Sequence, residues 1–345
     1  MRLLMITRKV DKDDGLAGFS FNWVKKLANN IENLDVICLE KGNIEGLPDN
    51  VSVYSLGKEN GKNRLREFWR FQKLAIKLVP HVDGVFAHQN PEYGLLISFW
   101  TKLFRKRLIA WYAHGSVSMR LRLLNFLADK IITSTPSGFK LSSNKLIILH
   151  QGIDTEMFAY TNKVSDGTLK FLSVSRISST KNIHLMIDLV RELKLEYNKK
   201  IIFNIIGESS LGRDKKYLQK LKKQVLDQGL DADVRFLGSV ANYKTPEHYQ
   251  WADVFLNFSN TASLDKTILE AMSCGTLVLT SNESAKVILS KINKALCLED
   301  MSKASSKILE IEVLDRDALG KKLREVVKNE HGLDDLMKKI IFQFR

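Results

Sequence analysis

Residues 263–275 read Ser-Leu-Asp-Lys-Thr-Ile-Leu-Glu-Ala-Met-Ser-Cys-Gly, and this stretch decides the fold of the second half of the chain. The apolar run at 253–258 before it predicts a buried strand, and the small polar residues at 260–263 favour a turn and a helix cap. Gly275 is typical of a helix end, and 277–279 predicts another buried strand. The order strand, helix, strand indicates a parallel sheet.

The predicted helix begins near Leu264 or Asp265. Its first turn leaves backbone N–H groups without intrahelical partners, and it carries the positive end of the helix dipole. Together these features form a binding site for phosphate. The sequence therefore predicts that this turn faces a phosphorylated ligand.

Strands and helices alternate along the whole chain, which predicts an α/β fold with two doubly wound parallel sheets. The chain has 345 residues and 44% hydrophobic content, enough for two cores. Residues 161–167 are polar and form the candidate linker. The predicted strands lie at 2–7, 34–39, 51–56, 84–87, 108–113, 130–135 and 146–149 in the first half, and at 171–175, 201–207, 234–237, 254–258 and 277–280 in the second.

The segment 263–275 is similar to the C-terminal signature of retaining GT-B glycosyltransferases of the sucrose and mannosyl transferase type (group 1, family 4-like). This resemblance implies two Rossmann-like domains facing across a cleft, at 1–160 and 168–316. It further implies a C-terminal helical segment, 317–345, that packs back on the first domain. The second domain would bind the nucleotide sugar, and the first would bind the acceptor.

The family pattern has two glutamates, and Glu270 matches the second, which contacts the donor ribose. The first, which contacts the donor sugar, would fall at Ala262 and is absent. Asp265 and Lys266 are the candidates to replace it. Without the resemblance, Glu270 would be interpreted as a solvated helix residue.

Arg176 follows the apolar run 169–175, and Lys181 comes after a short polar turn. This spacing equals the Arg-Leu-x-x-x-Lys-Gly signature of the family. Two fixed cations at a strand end neutralise the charge that develops on a leaving nucleoside diphosphate, so that no metal is required. The alternative interpretation is a pair of ordinary surface charges.

His114 follows the strand predicted at 108–113, where the family has a histidine that contacts the donor sugar, although a strand-end histidine is often structural. Gly15 and Gly18 resemble the first glycine-rich loop of the family, although a simple turn explains them nearly as well. The predicted catalytic residues are thus His114, Arg176 and Lys181. The predicted donor-binding residues are Gly15, Gly18, Gly207, Ser263, Leu264, Asp265, Lys266, Thr267 and Glu270.

Competing nucleotide and metal motifs are weak. The sequence has no Gly-x-x-x-x-Gly-Lys-[Ser/Thr] loop and no Gly-x-Gly-x-x-Gly after the first strand, which argues against NTPases and common dehydrogenases. Asp-x-Asp triplets occur at 11–13, 231–233 and 315–317, in contexts that favour solvated or capping carboxylates. We expect no metal and no cofactor beyond the donor substrate.

The formal net charge is +14, and residues 1–150 hold 23 Lys and Arg against 13 Asp and Glu. Two stretches, 99–107 and 119–126, mix cations with apolar residues, as a surface for anionic lipid does. Ordinary amphipathic helices are the alternative. No nucleic-acid reading motif is present, so we expect no nucleic-acid partner.

The chain contains no run of about twenty apolar residues and no charged-then-apolar leader, which argues against a spanning helix or a secretory signal. Cys38, Cys274 and Cys297 lack metal-ligand spacing and cannot all pair. We therefore expect a cytoplasmic protein, with a peripheral position at the inner membrane face as an option.

The resemblance implies transfer of a sugar from a nucleoside-diphosphate donor to a hydroxyl acceptor, lipid-linked or part of a growing glycan, with retention of configuration. Two alternatives stay open. One is a sugar-nucleotide epimerase or phosphorylase of the same fold. The other is a non-catalytic binding subunit, which the absent glutamate at Ala262 suggests.

Overall fold

The computed structural model describes residues 1–61, 63–163, 166–209, 212–261 and 263–345. The chain forms two compact units. The first contains Met1–Asp154, Ala241–Tyr243 and Gly332–Arg345, and the second contains Thr155–Val240 and Lys244–His331.

The strands of the described residues are β1 (Arg2–Val10), β2 (Asn33–Lys41), β3 (Val51–Ser55), β4 (Gly84–His88), β5 (Arg107–Trp111), β6 (Lys130–Thr133), β7 (Leu146–Ile148), β8 (Leu169–Val174), β9 (Ile201–Ile206), β10 (Val234–Gly238), β11 (Val254–Asn257) and β12 (Leu277–Thr280). The helices are α1 (Gly18–Ala28), α2 (Arg64–Leu78), α3 (Pro91–Leu103), α4 (Met119–Leu127), α5 (Ile183–Tyr197), α6 (Gly212–Asp227), α7 (Thr245–Trp251), α8 (Lys266–Ser273), α9 (Glu283–Leu289), α10 (Ala304–Glu312), α11 (Arg316–Glu330) and α12 (Leu333–Phe342).

Each unit is built on a parallel sheet. The described strands of the first unit run in the order β3-β2-β1-β4-β5-β6-β7, and those of the second in the order β10-β9-β8-β11-β12. Every pair of neighbouring strands is parallel. Because both faces of such a sheet are covered, its strands are near-continuous apolar runs, as Leu3–Ile6 of β1 illustrates. The predicted two-unit α/β fold is confirmed.

Helices cover both faces of the first sheet. One face packs against α1 and α12, and the other packs against α2, α3 and α4. Asparagine and serine caps fix where the second group begins, because Asn63, Asn90 and Ser118 each accept a hydrogen bond from the first turn of α2, α3 and α4. Buried residues of all three helices, such as Phe71, Ile97 and Leu124, belong to the same hydrophobic core, so the α2–α4 layer lies on a single face of the sheet.

The C-terminus divides between the two units. Leu336, Met337 and Ile340 of α12 are buried in the first unit, and Lys26 of α1 forms an ion pair with Asp334 at 2.9 Å. By contrast, α11 belongs to the second unit. There Arg324 donates hydrogen bonds to backbone carbonyls, one of which is that of Ser273 at 2.7 Å. The predicted C-terminal segment 317–345 is thus split at residue 331.

The outer faces of α2, α3 and α4 expose large apolar side chains. These are Leu65, Phe68, Trp69 and Ile76 on α2, Phe99 and Leu103 on α3, and Met119, Leu123 and Phe126 on α4. In the described part of the chain, none of the helices combines the length and the apolar character that a bilayer span needs.

Candidate active site

The carboxyl edge of the five-stranded sheet contains a point where the strand order reverses. From β8 the chain moves outward to β9 and β10, and it then places β11 and β12 on the other side of β8. Ligands of open parallel sheets bind at such switch points. The loops that follow β8 and β11 contact each other here, since Asn182 Nδ2 donates to the Phe258 carbonyl at 2.9 Å.

A buried ion pair joins these two loops. Lys181, in the loop after β8, is 9% exposed, and its ammonium lies 2.7 Å from Asp265 Oδ2 in the loop after β11. The same ammonium donates to Ser259 Oγ at 3.2 Å. An ammonium has three N–H donors, so two are engaged in the described structure and one remains for a ligand.

Asp265 stands at the N-cap position of α8, yet its carboxylate makes no capping hydrogen bond to that helix. It accepts instead from Lys181, from Asn257 Nδ2 at 3.0 Å and from Thr261 Oγ1 at 3.3 Å. The first turn of α8 is consequently not capped by the side chain that usually occupies this role, and its positive end keeps its capacity for an anion.

Polar residues that sequence reasoning did not single out hold the loop before α8. Asn282 Nδ2 donates to the carbonyls of Thr261 and Ser263, at 2.9 and 3.0 Å. Asn257 Oδ1 in turn accepts from Thr280 Oγ1 at 3.3 Å. The available signal was the position of the two asparagines, because Asn257 ends β11 and Asn282 lies two residues after β12. Ala262, the position at which the first glutamate of the family pattern would fall, lies outside the described residues.

Glu270 is 6% exposed on the second turn of α8, and Tyr249 Oη donates to its Oε2 at 2.8 Å. Burial, reinforced by this carboxylate, raises the pKa of Tyr249 well above its usual value. Tyr249 therefore stays a hydrogen-bond donor, and it fixes the Glu270 carboxylate in one orientation. Tyr249 was not identified from the sequence.

Lys266 lies one helical turn before Glu270. Its ammonium nitrogen is buried although part of the side chain is exposed. Burial lowers the pKa of Lys266 to about 7, against the opposing effect of Glu270, which raises it. Lys266 is thus a group whose charge changes near neutral pH. Of the other predicted donor residues nearby, Leu264 has a buried side chain, whereas Thr267 is half-buried.

Arg176 follows β8 by two residues and is exposed, with no ion pair among the residues that the structure describes. Gly207 follows β9 with φ +141°, and a Cβ atom there would lie 1.8 Å from the Ser175 carbonyl oxygen. The close approach requires glycine. Gly207 thereby fixes the backbone that carries Arg176, and a direct ligand contact stays a prediction.

In the first unit, His114 is exposed three residues after β5, with its ring edge-on to Tyr112 at 5.6 Å. A second histidine, His88, ends β4 and is fully buried. Its ring stacks on Trp23 at 4.5 Å, and its Nδ1 lies 3.0 Å from Thr7 Oγ1. The sequence pattern predicts that this strand ends at 87, so His88 is not among the predicted site residues.

The predicted glycine loop is organised by carboxylates. Asp14 Oδ1 accepts from the N–H groups of Leu16 and Ala17 at 2.8 and 2.7 Å, and Lys9 binds its other oxygen at 2.6 Å. Gly15 is exposed, and Gly18 is the first residue of α1. Neither glycine has a positive φ. The loop has a defined shape, and Asp14 determines it.

The Asp-x-Asp triplets have structural partners. Asp11 accepts from the Asp13 N–H at 3.0 Å, Asp233 pairs with Lys194, and Asp315 caps α11. Across the described ranges, no group of three or more His, Cys, Asp or Glu side chains is arranged to hold a metal ion.

A sequence model of the family described as "Glycosyl transferases group 1" matches residues 156–340. This range includes β8 to β12, Arg176, Lys181 and the whole of α8. It therefore contains the ion pair and the uncapped helix at the switch point of the second sheet.

Two named relatives match parts of the chain. The alpha-monoglucosyldiacylglycerol synthase of Streptococcus pneumoniae is 32% identical over 117 residues, which is 34% of this chain and 25% of the relative. The mannosylfructose-phosphate synthase of Agrobacterium fabrum is 27% identical over 168 residues, 43% of this chain and 36% of the relative. The matches thus span about a quarter to a third of these relatives.

The fold extends over the full chain in solved structures. HepE of Anabaena, solved in complex with UDP-glucose, superposes with a TM-score of 0.78 at 16% identity and covers 99% of both chains. At this identity the likeness concerns the fold, and it confirms the predicted GT-B fold.

Proposed function

Because this chain belongs to the group 1 glycosyl transferases, we propose that it transfers a sugar from a nucleoside-diphosphate sugar to a hydroxyl acceptor, with retention of configuration. The observation that carries the proposal is the buried Lys181–Asp265 pair beside the uncapped start of α8. A fixed cation beside a helix N-terminus that its own N-cap side chain does not cap suits a diphosphate.

Arg176 and Lys181 bind the diphosphate in this proposal. Arg176 is exposed, so a phosphate oxygen reaches its guanidinium without breaking an ion pair of the described structure. Lys181 uses its remaining N–H, while Asp265 holds it in position at 2.7 Å. Cations that are already oriented stabilise the developing negative charge at little reorganisation cost. Backbone N–H groups around Ser263–Lys266 complete the phosphate site.

Glu270 accepts hydrogen bonds from the ribose hydroxyls in this scheme, with its second oxygen held by Tyr249. Asp265 is already engaged by three donors, so we assign it to positioning Lys181 rather than to the sugar. Lys266 is then the candidate for the contact that a glutamate at Ala262 would make. His114, Gly15 and Gly18 are proposed for the sugar side of the donor.

Retention follows a same-face route without a protein nucleophile. The bond between the anomeric carbon and the phosphate oxygen breaks as the acceptor oxygen attacks from the same side. The acceptor proton passes to the leaving phosphate oxygen. The enzyme contributes alignment and charge stabilisation. Since Arg176 and Lys181 neutralise the leaving group, we expect turnover to persist in excess EDTA, and its loss would contradict a metal-independent reaction.

We further propose that the first unit acts at an anionic membrane surface and takes a lipid-linked acceptor. The exposed apolar residues of α2, α3 and α4 share one face of the unit. Exposed cations accompany them, among them Arg66, Arg70, Lys73 and Arg122. The buried cysteines suit a reducing compartment, which supports a cytoplasmic protein at the inner membrane face.

Vesicle sedimentation tests this surface. Each cation near an anionic membrane contributes about 1 kcal/mol, and salt screens the attraction. The protein is expected to sediment with phosphatidylglycerol vesicles at low salt and to stay in solution with phosphatidylcholine vesicles. Equal sedimentation with both would contradict the proposal.

Calorimetry tests the donor site. We expect one of the nucleoside diphosphates UDP, GDP and ADP to bind in the micromolar range, with the monophosphate CMP as the comparison. Both Arg176→Ala and Glu270→Ala are expected to weaken that binding. Arg191→Ala, which removes an exposed arginine of α5, is the matched control. Binding without turnover of any sugar nucleotide would favour a non-catalytic subunit.

Product analysis with the matching sugar nucleotide separates the reaction classes. A glycosyltransferase leaves the sugar on an acceptor and releases the nucleoside diphosphate. An epimerase or phosphorylase would act without a separate acceptor. The anomeric configuration of the product, read by NMR, decides retention.

A further inference from the structure

The first unit contains a cavity of about 410 Å³. Its walls come from β1 and β2 toward their carboxyl ends, from the N-terminal halves of α2 and α3, and from the start of α4. This volume lies within the range of small-molecule sites in proteins. None of the donor-site residues lines it.

The walls are largely aliphatic and aromatic. Ile6, Ile37 and Phe71 are fully buried around the cavity, and Leu56 and Tyr93 are nearly so. Such a surface is stabilised by apolar groups that displace water from it. A polar sugar ring would bury little apolar surface against this wall.

One polar atom in the wall is not satisfied by the protein. Glu67 Oε1 is buried and has no hydrogen-bond partner among the described residues. A buried acceptor in this condition carries a desolvation penalty until a donor reaches it. Since Glu67 lines the cavity, a ligand hydroxyl there is the group that would remove the penalty.

Cations and exposed apolar side chains share this end of α2. Arg64 lines the cavity, is exposed, and has no ion pair in the part of the chain that the structure describes. Lys58 and Arg120 also line it, and each already pairs with a carboxylate, Glu40 and Glu92. Phe68 both lines the cavity and is exposed, so this apolar side chain reaches from the cavity to the protein surface.

We propose that this cavity binds an amphipathic lipid. The aliphatic part lies against Ile6, Ile37 and Phe71, a hydroxyl donates to Glu67 Oε1, and an anionic head group, where present, meets Arg64. The inference rests on the proposed function, for which it specifies the acceptor as a lipid alcohol. It adds a ligand site that the donor residues do not provide.

Calorimetry with 1,2-dihexanoylglycerol below its aggregation concentration tests the site, with maltose as the polar probe. The wild-type protein is expected to bind dihexanoylglycerol and not maltose. Leu96→Trp places a larger side chain in the cavity wall and is expected to weaken lipid binding at least tenfold. Leu195→Trp, at a 65% exposed position of α5, is the matched control and should bind normally.

Glu67→Ala is the second variant, because it leaves the cavity volume open. We expect about tenfold weaker lipid binding, since a hydrogen bond to a charged acceptor is lost, and a smaller loss in Glu67→Gln, which keeps an acceptor oxygen. The thermal unfolding midpoint of each variant, compared with that of the wild type, shows whether it has folded. Lipid binding unchanged in Glu67→Ala and Leu96→Trp, absent from the wild type, or replaced by maltose binding would overturn the inference.

The two proposals fail differently. If a nucleoside diphosphate binds and the lipid does not, the lipid site is wrong and the donor site stands. If the lipid binds through the cavity and no diphosphate binds, the donor site is wrong.

Discussion

The carboxyl edges of the two sheets differ in chemistry although both sheets are parallel and covered by helices. In the second unit, Lys181, Asp265 and Asn257 form a hydrogen-bonded network with little exposure. In the first unit, an apolar cavity opens beside helices whose outer faces expose Trp69 and Phe126. A network of fixed polar groups suits one invariant ligand, such as a diphosphate. An apolar surface suits a ligand with an aliphatic part, such as a lipid that enters from a membrane.

The largest effect on turnover is expected at the carboxyl edge of the second sheet. We call it the polar edge, because Lys181, Asp265 and Asn257 form it. Lys181→Ala should lower turnover roughly 10³-fold, because a preoriented cation is lost from the leaving group. It should also lower the free energy of unfolding by about 3 kcal/mol, because Asp265 stays partly buried without its partner. Steady-state kinetics and urea unfolding measure the two effects.

The double variant Lys181→Met with Asp265→Asn separates these effects. It removes both charges, so most of the stability should return while turnover stays low. Recovery of turnover in the double variant would show that the cation has no direct role.

Arg176→Ala should lower turnover roughly 10²-fold and leave the unfolding free energy unchanged, because the side chain is exposed. Unlike Lys181→Ala, this variant is expected to lose turnover without losing stability. The same kinetic assay on Arg191→Ala gives the background for loss of an exposed arginine. Equal activity of the two variants would remove Arg176 from the site.

Gly207→Ala tests how rigid the polar edge is. The added Cβ would clash with the Ser175 carbonyl at a φ that L side chains avoid, so we expect about 3 kcal/mol lower unfolding free energy. Gly212→Ala is the control, since a Cβ there meets no atom within 4 Å. Similar thermal unfolding of both variants would mean that the loop after β9 adapts.

Lys266 gives the polar edge a pH dependence. Its pKa is about 7 in the folded protein and near 10.5 when unfolded, so the unfolded chain binds the extra proton between these values. Its contribution to stability therefore rises as pH increases from about 7 to 10. Lys266→Met should flatten that part of the stability profile, as measured by urea unfolding at each pH. An unaltered slope would contradict the low pKa.

The smallest effect on stability is expected on the exposed outer face of α2 in the first unit. Trp69 is 63% exposed, so Trp69→Ser should change the unfolding free energy by no more than about 0.5 kcal/mol. It should nevertheless reduce sedimentation with phosphatidylglycerol vesicles, whereas Leu195→Ser should not. Loss of stability without loss of vesicle binding would make Trp69 a packing residue.

The fold was predictable because buried parallel strands leave local apolar runs in the sequence. The start of α8 was predicted at 264 or 265, and the helix begins at Lys266 with Asp265 as its N-cap. Cap chemistry and strand endings are local signals, and they located the loops after β8 and β11.

The partners within the site were not predictable. Lys181 and Asp265 are 84 residues apart, so their pairing depends on the β8–β11 neighbourhood in the sheet. The same holds for Tyr249 with Glu270, and for the stacking of His88 on Trp23. A spacing pattern identifies residue types at strand ends, whereas tertiary packing decides which of them meet.

A crystal structure with a bound nucleoside diphosphate would show whether the loops after β8 and β11 hold the donor. We expect phosphate oxygens about 3 Å from the Arg176 guanidinium and the Lys181 ammonium, with the first turn of α8 pointing at the diphosphate. A diphosphate bound elsewhere, with Lys181 paired to Asp265 and contacting no ligand, would contradict this expectation.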